Sequence, residues 1–248
     1  MIKTRIIPTL LLNGGSIVKT VNFKDPRIVG DPVSTIKVFA NRMADELCIV
    51  DIGENNKHNI NQLKNLASIA NMPLTIGGKI SSIEIAHNLY DAGADKLMIR
   101  SLFYEDQNII KEITKKYGNQ SVVYCLDYIK DGNDKTSIYG KNNNNSGGNI
   151  FDDFKRSQDM GIGEVYLNNI NLDGTMKGYD IDTIYEICKI SNTPVIAAGG
   201  CGSSNDALLA IQAGASAISA GSLFYWVGES IISLKKYLSN NGISIRKK

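Results

Sequence analysis

Apolar residues in this chain come in short, nearly unbroken blocks separated by longer stretches of helical periodicity. The blocks fall at 5–12 (RIIPTLLL), 46–52, 74–77, 96–100, 121–127, 164–168, 195–198 and 217–221. A strand covered on both faces has this pattern, because neither face meets water. The stretches between them have helix signals. Asp31-Pro32 is an N-cap followed by proline at the first helical position. Ser81-Ser82-Ile83-Glu84 has capping-box spacing. Further helices are predicted over 61–69, 106–117, 151–160, 182–191, 205–213 and 229–239. Eight strand–helix units predict an α/β protein, a single (β/α)8 TIM barrel over 1–248, with no linker or composition shift to divide it.

Two stretches interrupt the alternation. Residues 13–31 are too polar for core and too long for a connector, which predicts an active-site loop carrying Lys19. Residues 128–149 predict a small hairpin turning at Asp131-Gly132, plus a mobile Asn-rich tip over the active face.

A repeat runs across the pattern. The segments 72–104 and 193–225 share one order: apolar strand, Gly-Gly, helix, Ala-Gly-Ala, strand, Ser-Leu-Phe-Tyr. Their offset is close to half the chain, so the barrel is expected to be two similar halves. Each Gly-Gly lies just past a strand, where bare backbone can come close to an anion. Tight turns alone would also use these glycines. Their repetition with Ser101 and Ser222 favours anion cradles, one near Gly78 and Ser101, the other near Gly200 and Ser222. The expected ligand is a small molecule with a phosphate at each end.

Composition narrows the function classes. The net charge is +2, with 21% charged and 43% apolar residues, and no general nucleic-acid binder is expected from this balance. The chain offers no signal peptide and no apolar run able to span a bilayer, so a cytoplasmic protein with no membrane partner is expected. Cys48, Cys125, Cys188 and Cys201 are far apart and read as reduced thiols. His58 and His87, the only histidines, are placed on the outside of the barrel. A histidine triad or His-rich metal site is not expected, nor is a cofactor.

In such barrels chemistry sits at the carboxyl ends of the strands. Asp51, Arg100, Ser101, Asp127, Asp173 and Ser222 fall there, with Lys19 nearby. Asp127 ends an apolar strand and reads as a general acid or base, or else as a cap for the loop that follows. At the other face, Arg5, Glu46, Lys96 and Glu164 each open an apolar strand. Two charges of each sign could close a neutral ring across the barrel floor; the alternative is four solvated strand ends.

RIIP, Asn22-Phe23, Gly30-Asp31-Pro32, DEL-x-x-x-DI, IGG, AGADK, DGTMKGYD, AGG and GSLF together resemble the cyclase subunit of imidazole glycerol phosphate synthase (HisF) along the whole chain. The resemblance implies a heterodimer with a HisH-like glutaminase docked on the amino-terminal face, where Asp95 would touch the partner. Ammonia would cross the barrel through a gate formed by Arg5, Glu46, Lys96 and Glu164. The implied substrate is a bis-phosphorylated aminoimidazole carboxamide nucleotide, and the products are imidazole glycerol phosphate and the carboxamide ribotide. Gly78, Lys79, Arg100, Ser101, Asp173, Gly174, Gly200, Gly221 and Ser222 would hold the phosphates. Asp127 and Lys19 would serve catalysis.

The chain departs from the family at three of these places. Leu11 stands where the family has the first of two catalytic aspartates. Lys79 replaces a glycine and Arg100 an asparagine. A kept ammonia route with half the acid/base pair lost resembles the glycosyl amidation-associated (WbuZ-type) branch. In that branch a HisF-like subunit feeds ammonia to a separate sugar amidotransferase in surface-polysaccharide synthesis. This is the reading preferred from the sequence; the alternative is a histidine-pathway cyclase subunit.

Overall fold

In the computed structural model the described residues are 3–54, 58–131, 136–138, 148–227 and 229–246. Elements follow in the order β1 (Arg5–Asn13), β2 (Ser16–Val21), β3 (Lys24–Gly30), α1 (Pro32–Asn41), β4 (Leu47–Asp51), α2 (Ile60–Ile69), β5 (Leu74–Gly77), α3 (Ile83–Asp91), β6 (Lys96–Ile99), α4 (Leu102–Glu105) and α5 (Gln107–Tyr117). The second half continues with β7 (Val122–Lys130), β8 (Thr136–Ile138), α6 (Ile150–Asp159), β9 (Glu164–Asn169), α7 (Ile181–Ile190), β10 (Val195–Ala198), α8 (Ser204–Gln212), β11 (Ala217–Ala220), α9 (Ser222–Trp226) and α10 (Ile231–Asn240).

Eight of these strands are parallel and close on themselves in the order β1, β4, β5, β6, β7, β9, β10, β11, with β11 pairing back to β1 at Arg5↔Ala217. This is a (β/α)8 barrel. Its main core lies between strands and helices and takes in Ile6, Leu10, Ile49, Ile76, Leu97, Phe154 and Leu234. A second cluster fills the barrel itself, with Ile7, Cys48, Met98, Val123, Cys125, Tyr166 and Ile196. Consecutive strand residues point to opposite faces, so one strand serves both cores. The half-repeat is visible in the extra short helices. α4 follows β6 and α9 follows β11, the fourth and eighth barrel strands, and each carries its Leu-Phe-Tyr.

Two expectations need correction. Residues 13–31 are not a loop. β2 doubles back on β1 in antiparallel register, Leu12↔Ile17 and Asn13↔Ser16, and β3 then pairs with β2. The turn is Gly14-Gly15, with φ of 57° and 90°, which suits the primed two-residue turns that match strand twist. The polar look arises because β3 is exposed while β2 is buried. The second correction is smaller: α3 is capped by Ser82, which accepts from Ile85 N–H, one residue later than the capping-box spacing implied. The Asp31–Pro32 start stands, with Asp31 Oδ2 accepting from Ser34 N–H at 2.8 Å. In the 128–149 stretch, β8 pairs antiparallel with the end of β7. Gly132 and the Asn-rich tip at 139–147 lie outside the described residues.

Candidate active site and its charged floor

The floor is built by first positions. Arg5 opens β1, Lys96 opens β6, Glu164 opens β9, and Glu46 immediately precedes β4. Arg5 Nη1 lies 2.8 Å from Glu46 and 2.9 Å from Glu164; Lys96 Nζ lies 2.9 Å from Glu46 and 3.0 Å from Glu164. The four charges therefore close into one ring. Glu46 is buried and also accepts from Thr75 Oγ1 at 2.8 Å, so its oxygens are saturated. Burial alone would lower the Arg5 pKa, but Glu164 and Glu46 outweigh it and hold the guanidinium above its usual range. Asp95, beside the ring, is exposed, and its Oδ2 accepts from Leu74 N–H at 2.8 Å.

Above the ring the interior is uncharged. Burial pushes the Cys48 thiol up to about 12 and raises Tyr166 as well. Higher still, three hydroxyls meet. Thr9 Oγ1 is 2.5 Å from Ser219 Oγ and 3.1 Å from Tyr166 Oη, and Tyr166 Oη is 2.9 Å from Ser219 Oγ. This trio joins β1, β9 and β11.

The trio forms part of the wall of a pocket at the carboxyl ends of the strands. Leu11, Lys19, Asp173, Gly174, Gly200, Gly221 and Ser222 line it too. Every residue expected at the late cradle is thus brought to one place, with Leu11 beside it. Lys19, from β2, is buried. Its Nζ donates to Thr9 O at 2.9 Å and lies 5.2 Å from the centre of the Tyr225 ring. Desolvation lowers Lys19 to about 8, against the attraction of Asp173. Desolvation raises Asp173 to about 6, with Lys19 opposing.

These two values give a pH prediction. A carboxyl whose folded pKa is raised contributes stability below its unfolded value near 3.8, and that contribution is lost as pH rises through about 6. Asp173→Asn removes this titration, while in the wild type Lys19, at about 8, keeps its charge over that range. The stability of the wild type relative to Asp173→Asn should therefore fall by roughly 2 kcal/mol between about pH 4 and pH 7. This allows for the solvent that still reaches Asp173 at the pocket wall. Urea unfolding of both proteins at the two pH values measures it; a pH-independent difference would refute it.

The early side is arranged differently. Gly78 has φ +88°, and a Cβ there would stand 2.1 Å from Asp51 O. Gly200 has φ +105°, and a Cβ would stand 2.0 Å from Gly178 O. Both glycines are therefore needed for packing loop against loop, whatever else they hold. Lys79, at φ +52°, pairs with Asp51 at 2.8 Å. Lys79 and Asp51 line a wider space with Asn13, Gly15, Asn59 and Gln62. Gly78, Arg100 and Ser101 line neither pocket. Arg100 Nη1 instead donates to Asp127 Oδ2 at 3.1 Å. Asp127 is buried, and its Oδ1 accepts from Asn168 Nδ2 at 2.8 Å.

His58 corrects the expectation that both histidines lie outside. It stands in the loop between β4 and α2, on the mouth face, with its side chain buried. Its Nε2 is 2.8 Å from Gly78 O, and its Nδ1 is 3.4 Å from Asp51 Oδ2, near the outer limit of a hydrogen bond. Burial would raise Asp51, but His58, Lys79 and Gly53 N–H together hold it below the usual carboxylate range. His87 does sit on α3 outside the barrel, with Nδ1 2.7 Å from Tyr117 Oη. Sequence reasoning also missed Thr9, Tyr166 and Ser219. Two-residue alternation from Arg5 and Glu164 would have turned Thr9 and Tyr166 inward.

Comparison with known proteins adds the following. The family "Histidine biosynthesis protein" matches residues 5–228. Imidazole glycerol phosphate synthase subunit HisF of Sulfolobus acidocaldarius is 35% identical over 249 residues, covering 99% of this chain and 100% of the relative. The subunit HisF of Dictyoglomus thermophilum is 34% identical over 250 residues, covering 99% of each. That of Bacillus cereus is 35% identical over 251 residues, covering 99% of this chain and 100% of the relative.

Proposed function

The chain belongs to the histidine biosynthesis protein family, and within it we propose that it acts as an imidazole glycerol phosphate synthase cyclase-type subunit. It takes ammonia from a HisH-like glutaminase through the barrel to a bis-phosphorylated nucleotide at the mouth. The observation that carries this reading is the alignment of three layers along one axis. A closed ring of Arg5, Glu46, Lys96 and Glu164 lies below, a neutral interior above it, and the pocket with Lys19, Asp173 and the late glycines on top. A neutral interior suits a neutral small molecule, since a bare cation there would lose its hydration without a counter-charge. Gly174, Gly200, Gly221 and Ser222 on one wall suit a phosphate, and β5 and β6 stand opposite β10 and β11 for the other.

The relatives' names favour this reading over sugar amidation, which none of those compared mentions. One observation still speaks for a sugar-amidation subunit: Leu11 puts an aliphatic side chain into the pocket wall where the resemblance expects a carboxylate. The test is the isolated protein with the aminoimidazole carboxamide nucleotide and ammonium. Slow ammonium-dependent formation of imidazole glycerol phosphate, lost in Asp127→Asn, is expected. No turnover at any ammonium concentration would count against the cyclase reading. In the complex with a HisH-like glutaminase, Lys96→Ala should lower the product formed per glutamine hydrolysed, because one corner of the ring is missing. An unchanged ratio would remove the ring from the ammonia route.

A further inference from the structure

Thr9, Tyr166 and Ser219 place three hydroxyls where the apolar interior meets the late pocket. All three residues line that pocket, while Tyr166 also packs into the inner cluster with Ile7, Met98, Val123 and Ile196. Each oxygen lies within hydrogen-bonding distance of the other two. A hydroxyl carries one donor and two acceptor lone pairs. Burial raises Tyr166 well above its ordinary range, so its proton stays in place. Closing the triangle therefore uses every donor and leaves acceptors only. Thr9 also meets the Cys48 thiol, which makes Tyr166 and Ser219 the clearer acceptors. Buried acceptors are costly without donors, so the triangle suits a small molecule that brings N–H groups. Lys19 Nζ sits on the backbone oxygen of Thr9. A positive charge so near disfavours a second cation, which selects a neutral donor over an ammonium ion.

We propose that the triangle of Thr9, Tyr166 and Ser219 is the seat of the ammonia molecule that reacts at the mouth. Ammonia donates its N–H groups to the hydroxyl oxygens. Its lone pair is then turned away from them and into the pocket, where the ligand lies. A nucleophile held in that orientation reacts at a lower entropic cost than one arriving from solvent. No bond is made or broken at the triangle; its three residues bind and position the nucleophile. The proposal rests on the reading that ammonia is the nucleophile at this mouth. It does not depend on whether the ammonia came through the barrel or from solution.

Ammonium chloride supplied to the isolated protein with the aminoimidazole carboxamide nucleotide tests the seat. Steady-state rates are measured against each substrate in turn for the wild type, Tyr166→Phe and Ser219→Ala. In both variants the KM for ammonium should rise about threefold to tenfold, the worth of one hydrogen bond. The KM for the nucleotide should stay within about twofold, because the phosphate cradle is untouched. Thr9→Ser keeps the hydroxyl and should lose less than Thr9→Val, which replaces it with a methyl group. Two residues are varied besides Thr9, so a single variant that folds poorly does not decide the result. An ammonium KM that none of these changes moves, in a wild type that turns over, overturns the seat alone. So does a parallel rise in both KM values, the mark of a loosened pocket. A wild type with no ammonium-dependent turnover overturns the cyclase reading itself, and the seat with it.

Discussion

Leu11→Asp should raise ammonium-driven ring closure by about two to four orders of magnitude, the usual worth of one positioned acid or base. Leu11 lines the late pocket with Lys19, Asp173 and Ser222. Its register on β1 sets it beside Val50 of β4 and Val18 of β2. It is half-buried, so a carboxylate placed there keeps access to solvent and folding is not the limiting difficulty. Lys19, already buried nearby with its charge only partly compensated, would gain a second counter-ion. Ammonium supplied directly bypasses any glutaminase, so the steady-state rate reports on the mouth alone. If Leu11→Asp and the wild type both bind the nucleotide and neither closes the ring, the chemistry at this mouth is different. The sugar-amidation reading would then become the better one.

Lys235→Ala should cost about 3–5 kcal/mol of stability, the loss expected when one member of a buried ion pair is removed. Lys235 lies on α10 with its side chain buried, and its Nζ reaches Asp45 Oδ1 at 2.6 Å and Met43 O at 2.7 Å. Asp45 is itself buried, and its Oδ2 accepts from Ile6 N–H at 2.9 Å. The pair thus ties the last helix to the starts of β1 and β4. Without the ammonium group a carboxylate is left in the interior with one amide and no counter-charge. For a chain of this length the loss corresponds to a fall of about 6–20 °C in Tm. Asp45→Asn added to Lys235→Met should recover part of it, because no bare charge then remains. A loss below about 1 kcal/mol for Lys235→Ala would mean that water reaches Asp45 freely.

The barrel was legible because its strands are buried on both faces and so appear as eight apolar blocks. The floor ring was legible for the converse reason. Charges at the first positions of such strands have few options but each other, and Arg5, Glu46, Lys96 and Glu164 do pair. The β2–β3 ribbon was hidden because one arm is solvated and reads as loop; Gly14-Gly15 was its only strong mark. His58 was assigned to a helix approach, and only its place after a barrel strand could have put it at the mouth. The contact between Arg100 and Asp127 depends on which neighbours β6 and β7 present to each other, and that register is not written in either strand alone. Relatives moved the functional reading from sugar amidation toward ring closure, a distinction Leu11 by itself could not decide.

The pairing of Arg5 with Ala217 also has a consequence for how the molecule is made. The first strand finds its second neighbour within the closed barrel, β11, only after the seven other barrel strands have been synthesised. At about 5–20 residues per second, the interval is on the order of ten to forty seconds. For that time β1 is paired only with β2 and β4, and its Arg5–Pro8 edge is open to other nascent chains. Contacts so distant along the chain also make closure slow. Yield on overproduction should therefore depend on temperature and chaperone supply more than the stability of the finished barrel would suggest.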